Sequence, residues 1–156
     1  MIALRCSAYT TSATLLAMRT PRSIRFADRV DEGVQDLARR TGRDVSSIVN
    51  EMLDEGLKMR RIPGIVFGDS RNGRVARVAG TGLGVWEIIR ALRDLDNDPA
   101  RLRTAFHWLT DQQLRSALAY AEAYPEEIDA RIQADEAWTP ERLRERYPFT
   151  RPESPA

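Results

Sequence analysis

Residues 19–60 read RTPRSIRFADRVDEGVQDLARRTGRDVSSIVNEMLDEGLKMR, and the fold turns on how this stretch is read. Its opening, TPRSIRF (20–26), alternates: Ile24 and Phe26 point to one side, Ser23 and Arg25 to the other. That is a short strand with Pro21 at its edge and no hairpin signal after it. A lone strand leaves its backbone groups unpaired, and the segment holds no neighbour for it. The simplest partner is the same strand of a second chain. Asp28 is placed to cap a helix, along which Val30, Val34, Leu37, Ala38 and Thr41 recur on one face. Gly42 ends that helix and Asp44 caps the next. The second helix carries Val45, Ile48, Val49, Met52, Leu53 and Leu57 on its apolar face, and Ile62, Pro63 and Gly64 stop it. Such a unit is too small to enclose a core alone, so it is expected to dimerise.

Strand, helix, turn and helix in this order resemble the ribbon-helix-helix repressor family. The S-I-R-F strand, the A-x-R-T-G-R turn and the D-V-S-S-I-V helix start carry the likeness, over about a quarter of the chain. The resemblance implies that two strands pair antiparallel and enter the major groove of operator DNA, which admits a two-stranded ribbon. Ser23 and Arg25 would then face base edges, with Arg25 forking to guanine. The outermost reading position falls on Pro21, which has no polar side chain, so Arg22 or Arg19 would contact phosphate instead. The second helix start, with Ser46, Ser47 and the adjacent Arg43, would grip phosphate through its amides, although Asp44 opposes an anion there. Residues 1–26 carry Arg5, Arg19, Arg22 and Arg25 and no acidic residue, which favours DNA locally. The plainer reading is a dimerisation module with a short strand.

Outward from this unit, Gly64 to Gly84 is glycine-rich and loop-like, with one alternating run, RVARVA (74–79), read as a short strand or hairpin arm. Helical periodicity then returns. Val85, Ile88, Ile89, Leu92 and Leu95 share a face, with Trp86 beside it. Asp98 and Pro99 start a helix bearing Leu102, Ala105, Phe106 and Leu109. Thr110 and Gln113 form a capping box ahead of Leu114, Ala117, Leu118 and Ala121. Pro125 opens a further helix through Ile128 and Ile132.

The pieces G-I-V-F, R-V-A-R-V-A-G-T-G-L-G-V-W and L-T-D-Q-Q-L-R-S-A-L-A-Y-A, within residues 64–132, resemble the domain of unknown function numbered four hundred and thirty-three. That family's glycine-threonine-arginine-isoleucine-proline-valine stretch is Gly80 to Val85 here, without the arginine and the proline, so no role of that arginine transfers. The resemblance implies a small helix-turn-helix-like fold of the kind found in VapB-type antitoxins, which sit beside PIN-like ribonuclease toxins. If this unit also reads DNA, a recognition helix starting at Thr110 would expose Gln112, Arg115 and Ser116, with Asp111 repelling phosphate. The plainer reading is a packing or oligomerisation domain that supports toxin binding.

The chain end, 137–156, reads as a partly ordered arm with a short helix from Thr139 and Pro140. Trp138, Arg142, Leu143, Arg144, Arg146, Tyr147 and Phe149 interleave cations and aromatics there. The carboxylate-rich metal site of a PIN-type nuclease would attract the former, and the latter would anchor the contact. The competing reading is a solvated tail. Residues 1–17 read as a disordered or non-native tail, with Met18 as the alternative start.

Composition sets the outer limits. The 156 residues are 42% hydrophobic and 30% charged with a formal net charge of +1, which is globular and announces neither nucleic acid nor membrane globally. No apolar run approaches the roughly 18 residues of a membrane span. One cysteine, Cys6, and one histidine, His107, exclude an internal disulfide and a Cys/His zinc site and point to a cytoplasmic setting. His107, between Phe106 and Trp108, reads as a packing or capping residue, and Trp86 and Trp108 as core. GTGLG (80–84) is not a dinucleotide fingerprint, because its third glycine position falls on Val85. Only Lys58 among 24 basic residues is lysine, so arginine number alone carries no message.

The expectation is a mainly α, dimeric protein with no cofactor and no enzymatic activity. It comprises a ribbon-helix-helix module (18–62), a small helix-turn-helix-like domain with a short β element (63–136), and the arm. Its expected function is that of an antitoxin of a type II toxin-antitoxin system, binding operator DNA and a PIN-like ribonuclease. The alternative is a plain transcriptional regulator whose helical domain oligomerises or senses a ligand.

Overall fold

The computed structural model describes residues 23–71, 73–147 and 149. The tail 1–17, Pro21 and Arg22 lie outside the described residues. Among those described, seven helices and one antiparallel two-stranded sheet make a mainly helical fold.

Helix α1 (Asp28–Thr41) starts one residue earlier than a cap at Asp28 requires. Ala27 takes the capping position without a side-chain bond, and Asp28 and Asp31 lie in the first turn, where negative charge suits the helix dipole. Gly42, at φ 66°, closes α1 in the left-handed conformation that a Cβ would strain. Helix α2 (Val45–Arg61) begins at Asp44, whose carboxylate accepts from the Ser47 amide at 2.9 Å. Only three residues separate α2 from strand β1 (Ile65–Ser70).

Strand β1 pairs with β2 (Gly73–Val78) in a hairpin, Ile65 opposite Val78 and Gly68 opposite Val75. The sequence pattern points to the second arm, RVARVA, but not to the first. Ile65, Val66 and Phe67 are three consecutive apolar residues without alternation, so the period-2 signal is absent. Val75 lies opposite Gly68 of this strand.

Gly80 and Gly82, at φ 76° and 74°, fold the return to helix α3 (Val85–Asp94), so these glycines serve a tight turn. A Cβ at Gly84 would lie 2.6 Å from the Trp86 indole nitrogen. Helices α4 (Pro99–Ala105), α5 (Asp111–Ala123), α6 (Pro125–Glu136) and α7 (Pro140–Arg146) follow. Their starts match the caps in the sequence. Asp98 accepts from Ala100 and Arg101, and Thr110 and Gln113 bond reciprocally.

The core gathers Ile62, Ile65, Val78, Val85, Ile88, Leu102, Leu109, Ala117 and Tyr120 between the hairpin and helices α3, α5 and α6. Ile62, at the end of α2, belongs to it. Trp86 packs against the core rim, but Trp108, expected inside, is 54% exposed, and His107 is exposed beside it. Both lie in the turn after α4, where Leu109 is buried and Phe106 packs against the core while His107 and Trp108 face out. No helix among the described residues is long and apolar enough to cross a membrane.

Ile88 is fully buried at the centre of the core. Ile88→Ala should cost about 2–5 kcal/mol, read from the urea midpoint at unchanged slope.

Candidate nucleic-acid interface and its anchorage

Ser23 to Ala27 run into α1 without a ladder partner among the described residues, and Ser23 and Arg25 are exposed. Ile24 on the opposite side is 61% exposed. Val30, Met52, Leu53 and Leu57 are also exposed along α1 and α2, whereas only Val34, Ile48 and Glu55 of these two helices are buried. The helix pair therefore encloses two apolar side chains and leaves most of its apolar residues uncovered.

The start of α2 carries Arg43, Ser46 and Ser47, all exposed. Two features there work against a phosphate. Arg43 forks onto Glu51, its two terminal nitrogens 2.9 and 3.1 Å from the carboxylate oxygens, and this bond raises its affinity for its proton. The Ser47 amide is already satisfied by Asp44, and the Ser47 side chain first, then this amide, hold the Asp44 carboxyl below its usual range. Arg43 must exchange a carboxylate for any phosphate it contacts. Ser23 and Arg25 belong to one helix start and Arg43, Ser46 and Ser47 to the next, and no hydrogen bond or ion pair joins the two groups.

A set of residues that sequence reasoning missed fixes α2 to the rest of the protein. Glu55 is a buried carboxylate. Arg74 of β2 forks onto it, Nε at 2.6 Å and an Nη at 2.9 Å, and also reaches Asp69 at 3.2 Å. The hydrogen bonds to Glu55 hold the Arg74 proton far more tightly than usual, against the cost of burial. One turn on, Lys58 donates to Asp54 and to Glu127 of α6, both at 2.7 Å. Burial alone would weaken its hold on its proton, and the two carboxylates more than reverse that. The Tyr120 hydroxyl donates to the other Glu127 oxygen at 2.8 Å, and burial, then Glu127, push its pKa up. Glu127 thus ties α6 to α2 and to α5. Ser116, expected on an exposed recognition face, is buried and donates to the Pro63 carbonyl at 2.8 Å. Gln112 and Arg115 bond within α5, to Ser116 and Gln112 respectively. The second unit therefore does not present Ser116 to a ligand, because that face packs on the turn after α2.

The arm begins at Trp138, 39% exposed. Thr139 accepts from the Arg142 amide at 3.3 Å and the Arg142 side chain donates to the Ala137 carbonyl at 2.9 Å, which folds the arm back on the end of α6. Arg144 and Arg146 are exposed, the former 3.7 Å from Glu141. Tyr147 meets Phe149 edge-on at 5.9 Å and Arg71 of the hairpin turn at 5.8 Å, while Phe149 is 84% exposed. The side chain of Leu143 is outside the described set. Arg142, Arg144 and Arg146 share one short helix with the aromatics at its two ends. Among the described residues, no group of three or more His, Cys, Asp or Glu could hold a metal ion.

No family model, curated protein or solved structure matches this chain.

A double-mutant cycle of Glu55→Ala and Arg74→Ala should return a coupling of about 1–3 kcal/mol in unfolding free energy. A value near zero would remove the pair as an anchor. The alkaline limb tests the second anchor. Lys58 and Tyr120 both bind their protons more tightly folded than unfolded, so their contribution is present below their ordinary pKa values, 10.5 and 10.0, and is lost as pH rises beyond them. Stability should fall above about pH 10, and Tyr120→Phe should flatten that fall, measured by urea titration at stepped pH.

Proposed function

We propose that the chain is an antitoxin of a type II toxin-antitoxin system. It acts as a dimer through its amino-terminal unit, binds operator DNA with the strand bearing Ser23 and Arg25, and holds a PIN-like ribonuclease with its second unit and arm. The observation that carries the DNA-binding half is the uncovered apolar surface of α1 and α2, next to an exposed chain segment at Ser23–Ala27 that has no ladder partner among the described residues. A second copy answers both needs at once. It covers Ile24, Val30, Leu53 and Leu57, and its strand supplies the missing ladder. With the ribbon formed, Ile24 and Phe26 turn inward and Ser23 and Arg25 outward.

Support for the toxin-binding half comes from the arm, where three exposed arginines stand between exposed aromatic residues. A groove in the second unit, lined by Trp86 and Arg131, favours one other reading: a regulator whose helical unit senses a ligand.

Sedimentation should give a dimer, and Leu53→Glu should give a monomer with reduced helicity. Arg25→Ala should weaken operator binding by about 1–3 kcal/mol, measured at fixed salt. Glu51→Gln releases Arg43 and should tighten binding while steepening the salt dependence by about one unit of slope. Tagged protein recovered from its host should carry a small nuclease in near-stoichiometric amount, and the chain cut before Trp138 should lose it. Recovery with DNA and no nuclease would favour the regulator.

A further inference from the structure

Between β2 and α6 the second unit opens a groove of about 250 Å³, walled by Trp86 and floored by Val75, Ala76 and Ile128. Three charged side chains reach it: Arg74, Glu127 and Arg131. Two of them are neutralised within the protein. Arg74 is bound by Glu55 and Asp69, and Glu127 by Lys58 and the Tyr120 hydroxyl. Arg131 is not. Its guanidinium stands 5.5 Å over the Trp86 ring, makes no hydrogen bond or ion pair among the described residues, and has a buried Nε with no acceptor. Trp86 is also approached by Arg90 at 6.0 Å, but Arg90 is paired with Asp135.

A buried donor without an acceptor is costly and uncommon in a folded protein. A guanidinium held over an indole by cation–π attraction still has its N–H groups to offer, and a carboxylate is the acceptor they fit best. We infer that this groove is a binding site for a small monocarboxylic acid with a flat apolar body, its carboxylate on Arg131 and its body against Trp86. The charge count selects a monoanion. One uncompensated cation faces the groove, and the Glu127 carboxylate at its rim disfavours a phosphate dianion. The volume selects a small acid, since drug-sized ligands occupy roughly 300–1,000 Å³. This inference deepens the ligand-sensing reading of the second unit. It rests on that unit alone, so failure of acid binding leaves operator binding untouched, and the reverse holds as well.

The full chain carrying Trp108→Phe and Trp138→Phe leaves Trp86 as the sole tryptophan, and its emission can be titrated with phenylacetate. Saturable quenching with a midpoint of about 1 mM or below is expected. Phenylacetamide, isosteric and uncharged, should bind about tenfold or more weakly, as should phenylacetate to the Arg131→Gln form. A melting curve establishes that this form is folded; if it is not, the amide comparison on the unaltered site decides alone. Absence of saturation up to about 20 mM, or equal binding of acid and amide, would overturn the proposal. So would tenfold tighter binding of acetyl-Ala-Ala-Phe, which would make the groove a receptor for peptide ends.

Discussion

A carboxylate buried at Glu55 constrains everything around it. It cannot stay charged in that position without a partner, and the partner has to come from another element. Arg74 supplies it with two hydrogen bonds, and in doing so fixes β2, and hence the hairpin, against the middle of α2. The Lys58–Glu127–Tyr120 chain repeats the device one turn further, this time reaching α6 and the core aromatic of α5. Ser116 closes the set from α5 onto the turn at Pro63. Helix α2 is therefore a member of two assemblies. Its inner side belongs to the second unit by polar contacts, and its outer side remains apolar and uncovered.

What could be read in the sequence is what is decided locally. The stops and starts at Gly42, Asp44, Asp98, Thr110 and Pro125 need only neighbours within four residues, and the structure has them all. The core positions of α3, α5 and α6 follow helical spacing, which is also local. The missed features depend on partners far along the chain. Glu55 meets Arg74 across nineteen residues and Lys58 meets Glu127 across sixty-nine. Nothing in a helical period marks Ser116 as a donor to Pro63, since its own neighbours read as a polar face. The first hairpin strand escaped for another reason: three consecutive apolar residues do not distinguish a strand from a helix fragment. For the candidate interface, Ser23, Arg25, Ser46 and Ser47 are exposed as expected, but the occupation of Arg43 by Glu51, eight residues away, lies beyond sequence spacing.

The arginine-rich composition also looks different in three dimensions. Arg74, Arg90, Arg93, Arg101 and Arg103 each face a carboxylate from another element or turn. These pairs offset each other's fields, so the second unit lacks the uniform positive surface that its arginine count would suggest. Against that background Arg131 stands out: it lies over Trp86 with no ion pair among the described residues, and its Nε is buried without an acceptor.

The join at Ile62 to Gly64 has a mechanical consequence. Because α2 ends in the core and the hairpin begins three residues later, the two units are connected by a strut and not by a tether. Seventeen helical residues make a rod of about 25 Å, so a tilt of roughly 5° at the core end sweeps the far end, at Val45, through about 2 Å. A repacking of side chains around Arg74 or Glu127, small by core standards, reaches the opposite end of the helix as a displacement the length of a covalent bond and more.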